Sequence, residues 1–60
     1  MIVYENGREI PRRPRTLAEA KEMIAGLDLS MATVDCDLQE YKVVNARGKV
    51  VYRRPRVHVP

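Results

Sequence analysis

The stretch that decides the fold reads EYKVVNARGKVVYRR, residues 40–54. It holds two runs rich in valine, tyrosine and charged side chains, joined by a turn over residues 45–48. Asn45 can bond its side-chain oxygen to the backbone two residues on, and Gly48 tolerates a positive φ. These features predict a type I turn with a glycine bulge, and therefore a β-hairpin.

The turn fixes a register in which Asn45 opposes Lys49. The partners then predicted are Val44 with Val50, Val43 with Val51, Lys42 with Tyr52, Tyr41 with Arg53 and Glu40 with Arg54. Because side chains alternate between the faces of a strand, this register puts Tyr41 and Tyr52 on opposite faces. Valine occurs on both faces, which predicts that part of the hairpin is covered on both sides or lies at an interface.

Residues 2–10 predict a second, shorter hairpin. Asn6 and Gly7 suit the two positive-φ positions of a type I′ turn. The predicted partners are Glu5 with Arg8 and Val3 with Ile10. Pro11 ends the second strand because it has no N–H to donate. We expect the segment 11–14 to be extended and exposed.

Residues 16–27 predict a helix. Thr16 and Glu19 have the spacing of a capping box, in which each side chain bonds the other residue's backbone N–H. Gly26 fits the left-handed position after a helix, so the helix is expected to run from about residue 17 to residue 25, with a link at 28–30. Apolar residues at helical spacing predict the buried face: Leu17, Ala20, Met23, Ile24 and Leu27. We expect Glu19 and Glu22 to point to solvent.

Residues 31–37 alternate between apolar and polar side chains, which predicts a half-buried strand leading into the central hairpin. The tail begins and ends in proline, so it is either an edge strand or an extended arm. The chain is therefore predicted to be one small α+β domain of order ββαβββ, with an antiparallel sheet and one α-helix packed on one face. Its parts are the hairpin 2–10, the helix 16–27, the antiparallel meander 31–54 and the tail 55–60.

Few side chains offer chemistry, since the sequence has one Cys, one His, one Ser and no glycine-rich phosphate loop. Cys36 lies between Asp35 and Asp37, whose charges disfavour a thiolate. His58 has no acid close in sequence, and the two aspartates lack further oxygen ligands at a recognised metal-binding spacing. We predict a non-enzyme with no catalytic residue, cofactor or metal.

The single cysteine cannot form an internal disulfide, which is typical of a reducing compartment. Residues 1–5 lack a basic segment followed by an apolar run, and no apolar stretch approaches the ~20 residues of a membrane span. We therefore expect a cytoplasmic protein without a membrane partner. A domain of this size buries only about 60% of its unfolded surface, so a homodimer or a larger partner would add stability.

Charge is segregated along the chain. Residues 1–16 contain four Arg and two Glu, residues 17–40 contain one Lys and six acids, and residues 41–60 contain six bases and no acid. Both ends are basic and the middle is acidic, which bears on partners more than on fold.

An arginine motif occurs twice, at residues 12–15 and again at 53–56, and each copy follows a predicted strand. Proline keeps the chain extended, and guanidinium groups bind phosphate or carboxylate in a bidentate manner. The alternative is that these arginines only solubilise strand ends. We expect alanine at residues 53, 54 and 56 to weaken partner binding and leave the fold intact. The candidate partner-binding residues are Arg12, Arg13, Arg15, Arg47, Arg53, Arg54, Arg56 and Tyr52.

The overall plan resembles small phage and prophage proteins of the anti-CRISPR kind. The resemblance rests on size, on the order of elements and on three short phrases: Tyr4-Glu5-Asn6-Gly7, Leu17-Ala18-Glu19-Ala20 and Gly48-Lys49-Val50-Val51. It implies stoichiometric inhibition of a defence complex in the cytoplasm of a bacterial host, by occupying a nucleic-acid channel or jamming a moving subunit.

Three functions follow as hypotheses. The first is a non-enzymatic interaction protein that docks by charged surfaces on a larger protein or ribonucleoprotein complex that handles nucleic acid, and inhibits it. The alternative is a small basic DNA-binding module that uses the ribbon 41–54 and the arginine segments, which a homodimer would favour. The third is a phage structural or assembly subunit. Single-strand binding is disfavoured, because the predicted register gives Tyr41 and Tyr52 no common stacking platform.

Overall fold

The computed structural model describes residues 1–31 and 37–58, and within these ranges it contains one α-helix and six β-strands. The helix packs on a four-stranded antiparallel sheet, and two short strands form a second antiparallel sheet. The predicted α+β class is therefore confirmed. The elements are β1 (Ile2–Glu5), β2 (Arg8–Glu9), α1 (Leu17–Met31), β3 (Asp37–Leu38), β4 (Tyr41–Val44), β5 (Val50–Arg54) and β6 (Val57–His58).

The four-stranded sheet has the order β2-β1-β4-β5, so the N-terminal strand lies in its interior. Asn6 and Gly7 form the predicted turn, with φ angles of 50° and 85°. Both predicted pairs of the first hairpin are present, Glu5 with Arg8 and Val3 with Ile10. Local signals therefore account for the first hairpin. Its strand β1 also pairs with β4.

The central hairpin also turns where the sequence predicts. The Gly48 amide donates to the Asn45 carbonyl at 3.0 Å, and the φ of Gly48 is 80°. The Asn45 side-chain oxygen accepts from the amides of Arg47 and Lys49 at 2.9 and 3.0 Å. One asparagine side chain therefore holds the turn closed.

Beyond the turn, the predicted register is correct only as far as Val44 with Val50. A bulge follows, in which Val51 has no partner on β4 and Val43 pairs with Tyr52. The remaining pairs are Lys42 with Arg53 and Tyr41 with Arg54. A shift of one residue moves side chains to the other face, so Tyr52 lies on the same face as Tyr41. The predicted separation of these two tyrosines is therefore wrong.

Helix α1 begins as predicted and ends later. The Glu19 amide donates to Thr16 Oγ1 at 3.2 Å, whereas the Glu19 carboxylate accepts from the Arg15 amide at 2.9 Å and not from the Thr16 amide. The helix continues through Gly26 and the predicted link to Met31. Leu27 packs on the core and Asp28 binds the sheet, and these contacts outweigh the ~1 kcal/mol that a glycine costs inside a helix.

The core lies between α1 and the two inner strands. Its buried apolar residues are Val3, Ala20, Ile24, Tyr41 and Val43. Partly buried side chains at its margin are Met1, Ile10, Leu17, Met23, Leu27 and Tyr52. The predicted apolar face of the helix therefore packs on the sheet, and Glu19 and Glu22 are exposed as predicted.

The predicted strand over residues 31–37 differs at both ends. Met31 is the last helical residue, and Asp37 begins a strand of two residues. The rest of that prediction, including Asp35 and Cys36, lies outside the described residues. In the tail, β6 pairs with β3, which places His58 opposite Asp37. The tail is predicted to be an edge strand or an extended arm, and residues 57 and 58 form an edge strand.

Replacing Gly26 by alanine is expected to raise the free energy of unfolding by about 0.5–1 kcal/mol, because glycine is a poor helix former. Gly26 is exposed, and a Cβ added there has no atom within 4 Å. Urea denaturation measures the change. Gly48→Ala is the matched control, since its surroundings are equally open but its φ of 80° strains any side chain, so it should destabilise the protein. A lowered midpoint for Gly26→Ala would contradict this account of the helix.

Candidate functional site

The open face of the four-stranded sheet is the side that faces away from α1. Strand alternation and register assign seven side chains to it: Ile2, Tyr4, Glu9, Lys42, Val44, Val50 and Arg53. None of the seven is buried. Four strands about 4.8 Å apart give this platform a width of roughly 15 Å.

Positive charge collects on the open face and at the turn that ends it. Lys42 and Arg53 are direct neighbours on β4 and β5. Arg47 and Lys49 lie in the exposed turn between the same strands. Two adjacent cations on a sheet repel each other, which costs stability unless an anion lies over them.

Negative charge lies mostly elsewhere. Glu9 is the one acidic residue of the open face, and it accepts hydrogen bonds from Arg13 Nε and Nη2 at 3.2 and 3.0 Å. Glu19 and Glu22 are exposed on the helix, away from the sheet. The open face is therefore net basic, whereas the exposed side of the helix carries both signs, with Lys21 beside Glu19 and Glu22.

Tyr4 lies at the middle of the open face, on an inner strand. The Nζ atom of Lys42 is 4.9 Å from the centre of its ring, within cation–π range. Beside the ring is a shallow cavity of about 420 Å³, bordered by Arg13 and by the turn of the central hairpin. The cavity is lined by Met1, Ile2, Tyr4, Arg13, Val44, Asn45, Ala46 and Gly48.

The two arginine segments lie at opposite corners of the sheet. Residues 12–15 follow β2, which is one edge strand, and residues 53–56 leave β5, which is the other. Because β2 and β5 also run in opposite directions, the segments leave opposite ends of the sheet. They do not form one continuous basic surface.

Arg54 is turned into the protein. Its guanidinium group bonds the Asp28 carboxylate twice at 2.7 Å and the Gln39 carbonyl at 2.6 and 3.1 Å, and it lies 5.1 Å from the centre of the Tyr41 ring. The side chains of Arg54 and Asp28 are only 17% and 19% exposed. Hydrogen bonding to Asp28 raises the pKa of Arg54. This arginine joins helix to sheet and is not available to a partner.

Tyr52 also faces the helix. Its ring packs against the core, and Lys21 of α1 lies 5.0 Å from the ring centre. Tyr41 is fully buried, and its hydroxyl donates to Glu5 at 2.7 Å. Burial, and then the bond to Glu5, raise the pKa of Tyr41. Both tyrosines therefore serve the interior, and Tyr52 does not belong to the open face.

Asp37 ties the tail to the rest of the protein. Arg56 Nη2 bonds one of its carboxylate oxygens at 3.0 Å, and His58 Nδ1 lies 2.6 Å from the other. Hydrogen bonds from His58 and then Arg56 lower the pKa of Asp37. His58 is exposed as expected, but the tertiary structure gives it an acidic neighbour that its sequence position does not indicate.

Arg12 and Arg15 remain exposed, on the helix side of the first corner. Together with Glu19 and Glu22 they line a second open cavity of about 780 Å³. Its surroundings are mixed in charge, unlike those of the open face. Of the predicted binding arginines, only Arg13, Arg47 and Arg53 lie on or beside the open face.

Sequence reasoning missed Tyr4 and Lys42 as site residues. The pairing of Val3 with Ile10 already puts Tyr4 on the face opposite Val3, which is a usable signal. What the sequence does not indicate is the pairing of β1 with β4, and this pairing sets Tyr4 beside Lys42.

Comparisons with protein-family models, with curated proteins and with solved structures find no match for this chain. Within residues 1–31 and 37–58, no helix is both long and apolar enough to span a membrane. The same residues bring together no group of three potential metal ligands among His, Cys, Asp and Glu side chains.

Arg54→Ala is expected to lower the free energy of unfolding by about 2–3 kcal/mol, because it leaves Asp28 and the Gln39 carbonyl poorly satisfied. Arg53→Ala, one residue away on the exposed side, should change it by less than about 0.5 kcal/mol. Urea denaturation of both variants measures the contrast. Equal effects would contradict the role of Arg54 in joining the helix to the sheet. The contacts of Arg54 argue against the expectation that alanine at positions 53, 54 and 56 leaves the fold intact.

Asp37→Asn is expected to remove a pH-dependent part of the stability. The pKa of Asp37 in the folded protein is lowered from 3.8, so its contribution is fully present above about pH 5 and is lost as the pH falls below 3.8 toward the folded-state value. Unfolding free energies of both proteins, measured between about pH 2 and 7, should therefore converge in acid. A difference that stays constant with pH would refute this role.

Proposed function

We propose that this protein is a non-enzymatic interaction protein that docks its open face on an anionic surface of a nucleic-acid-handling complex and inhibits that complex. The observation that carries the proposal is the excess of basic side chains on the open face and its turn, where Glu9 is the one acid and is already paired with Arg13. Inhibition is proposed from the resemblance to anti-CRISPR proteins, and the setting would be the cytoplasm of a bacterial host.

The cost of the open face supports a binding role. Lys42 and Arg53 are directly opposite each other, and like charges in that arrangement destabilise a sheet. The negative charge of a bound partner would offset this repulsion, which gives a reason for its presence in the protein. Arg54, on the same strand, shows the contrasting case, because its charge is matched within the protein.

The arrangement of acid–base groups supports a role without catalysis. Asp37 and His58 form the close acid–imidazole pair among the described side chains, and they lie on the small second sheet. Neither residue lines either of the two cavities described above. The smaller cavity is lined mainly by apolar side chains with one arginine, and the larger one by arginine, glutamate and apolar side chains. Neither lining places a nucleophile beside a base that is oriented by a third group.

A second candidate is a small DNA-binding module, and one observation favours it. The β4–β5 ribbon carries Lys42 and Arg53 on one face and Arg47 and Lys49 at its tip. A two-stranded ribbon of this kind fits the major groove of DNA. Fluorescence anisotropy with a labelled duplex tests this candidate, because phosphate contacts make duplex affinity fall steeply between about 50 and 200 mM salt, and absence of duplex binding would exclude it.

The test of the proposed function uses two double variants with equal loss of charge. Lys42→Gln with Arg53→Gln neutralises the open face, and Arg12→Gln with Arg15→Gln removes two exposed arginines at the other side. With tagged protein as bait in bacterial lysate, we expect the first variant to capture its partner complex at least about tenfold less well. The second variant should capture it normally.

Circular dichroism and urea denaturation confirm that both double variants are folded. Capture by the open-face variant that equals capture by the native protein would refute the proposed function. Loss in the Arg12 and Arg15 variant instead would move the site to the helix side.

A further inference from the structure

Tyr4 differs from the other two tyrosines in what surrounds it. Tyr41 and Tyr52 face the helix, whereas Tyr4 faces outward on an inner strand of the open face. An outward tyrosine at the centre of a sheet adds little to the core. Its ring is the one aromatic surface that the open face offers.

Cations lie on both sides of this ring, and the one acid beside it, Glu9 on β2, is paired with Arg13. Lys42 is the direct partner of Tyr4 on the next strand, and Arg53 is the partner of Lys42 on the strand after that. Their backbones lie one and two strand spacings from that of Tyr4, which is about 5 and 10 Å. On the other side, Arg13 is held beside the ring by Glu9.

We propose that the open face binds single-stranded nucleic acid, with one base stacked on Tyr4 and the flanking phosphates bound by Lys42, Arg53 and Arg13. This inference rests on the proposed function and names the part of the partner complex that the open face touches. A ribonucleoprotein complex exposes such strands, so the two statements describe one site.

The chemistry favours a single strand over other anionic partners. A duplex keeps its bases stacked inside, so it would use the cations of the open face but not the ring. An acidic peptide would likewise leave the ring unused. A single strand supplies free aromatic base faces and closely spaced phosphates, which match a ring flanked by cations.

Lys42 is placed to exchange partners during binding. In the free protein its ammonium group lies over the Tyr4 ring. This cation–π contact stabilises the charge without removing it from water. A base that stacks on the ring displaces the ammonium, which then reaches a neighbouring phosphate. Ile2 and Val44, which line the cavity with Tyr4, provide apolar contact for the sugar and the base edge.

The experiment is a fluorescence-anisotropy titration with three labelled probes of equal charge: a single-stranded oligonucleotide, a duplex and a poly-glutamate peptide. The native protein should bind the single strand most tightly. Tyr4→Leu should weaken single-strand binding about 5- to 100-fold, as the loss of one base–aromatic stack does, and leave its salt dependence unchanged. Tyr4→Phe, the matched control, keeps the ring and should bind within about twofold of the native protein.

Nuclear magnetic resonance of the native protein gives an independent readout that needs no variant. Stacking should shift the resonances of the Tyr4 ring protons upfield when the single strand is added. The ring-proton resonances of Tyr41 and Tyr52 should not change. Absence of single-strand binding, equal binding of all three probes, or an unshifted Tyr4 ring would each overturn the inference.

The two proposals can fail separately. If the single strand does not bind but the Lys42 and Arg53 variant still loses its captured complex, the proposed function stands and the stacking site does not. If that variant alters neither capture nor oligonucleotide binding, the open face is not the site and both proposals fail.

Discussion

The ion pair between Arg54 and Asp28 is the interaction on which the rest of the structure depends. It joins the end of β5 to the second half of the helix, and two further bonds to the Gln39 carbonyl connect both to the segment before β4. Its geometry requires Arg54 on the helix side of its strand and a helix that continues past Gly26. Replacing such a pair by apolar side chains is often neutral for stability, so we interpret its main role as selecting one register.

This register also determines which side chains lie on the open face. The bulge at Val51 turns Tyr52 and Arg54 inward and leaves Arg53 outward beside Lys42. One arginine of the second segment therefore stabilises the fold, and its neighbour in sequence contributes to the open face. A core of five buried apolar side chains among the described residues is small, and unmatched cations on the sheet weaken the fold further. Binding sites commonly carry this kind of local cost.

Function in this protein has to be argued from the site, since a small α+β fold accommodates many functions. The basic open face indicates an anionic partner, but charge alone does not distinguish phosphate from carboxylate. Tyr4 provides the distinction, because a tyrosine ring beside lysine and arginine offers a base a surface that an acidic side chain cannot use. The arginine motif, which is prominent in the sequence, divides into residues with different roles once it is folded.

The sequence by itself determined the local structure: both turns, the start of the helix and its buried face depend on residues within a few positions of each other, such as Asn45 with Gly48 and Thr16 with Glu19. It also determined the α+β class through the spacing of apolar side chains. Only the tertiary structure decided the bulge in β5, the end of the helix and the place of Tyr4 beside Lys42. Each of these depends on pairs that are distant in sequence, and no local preference encodes the free energy that such pairs gain when the chain is compact.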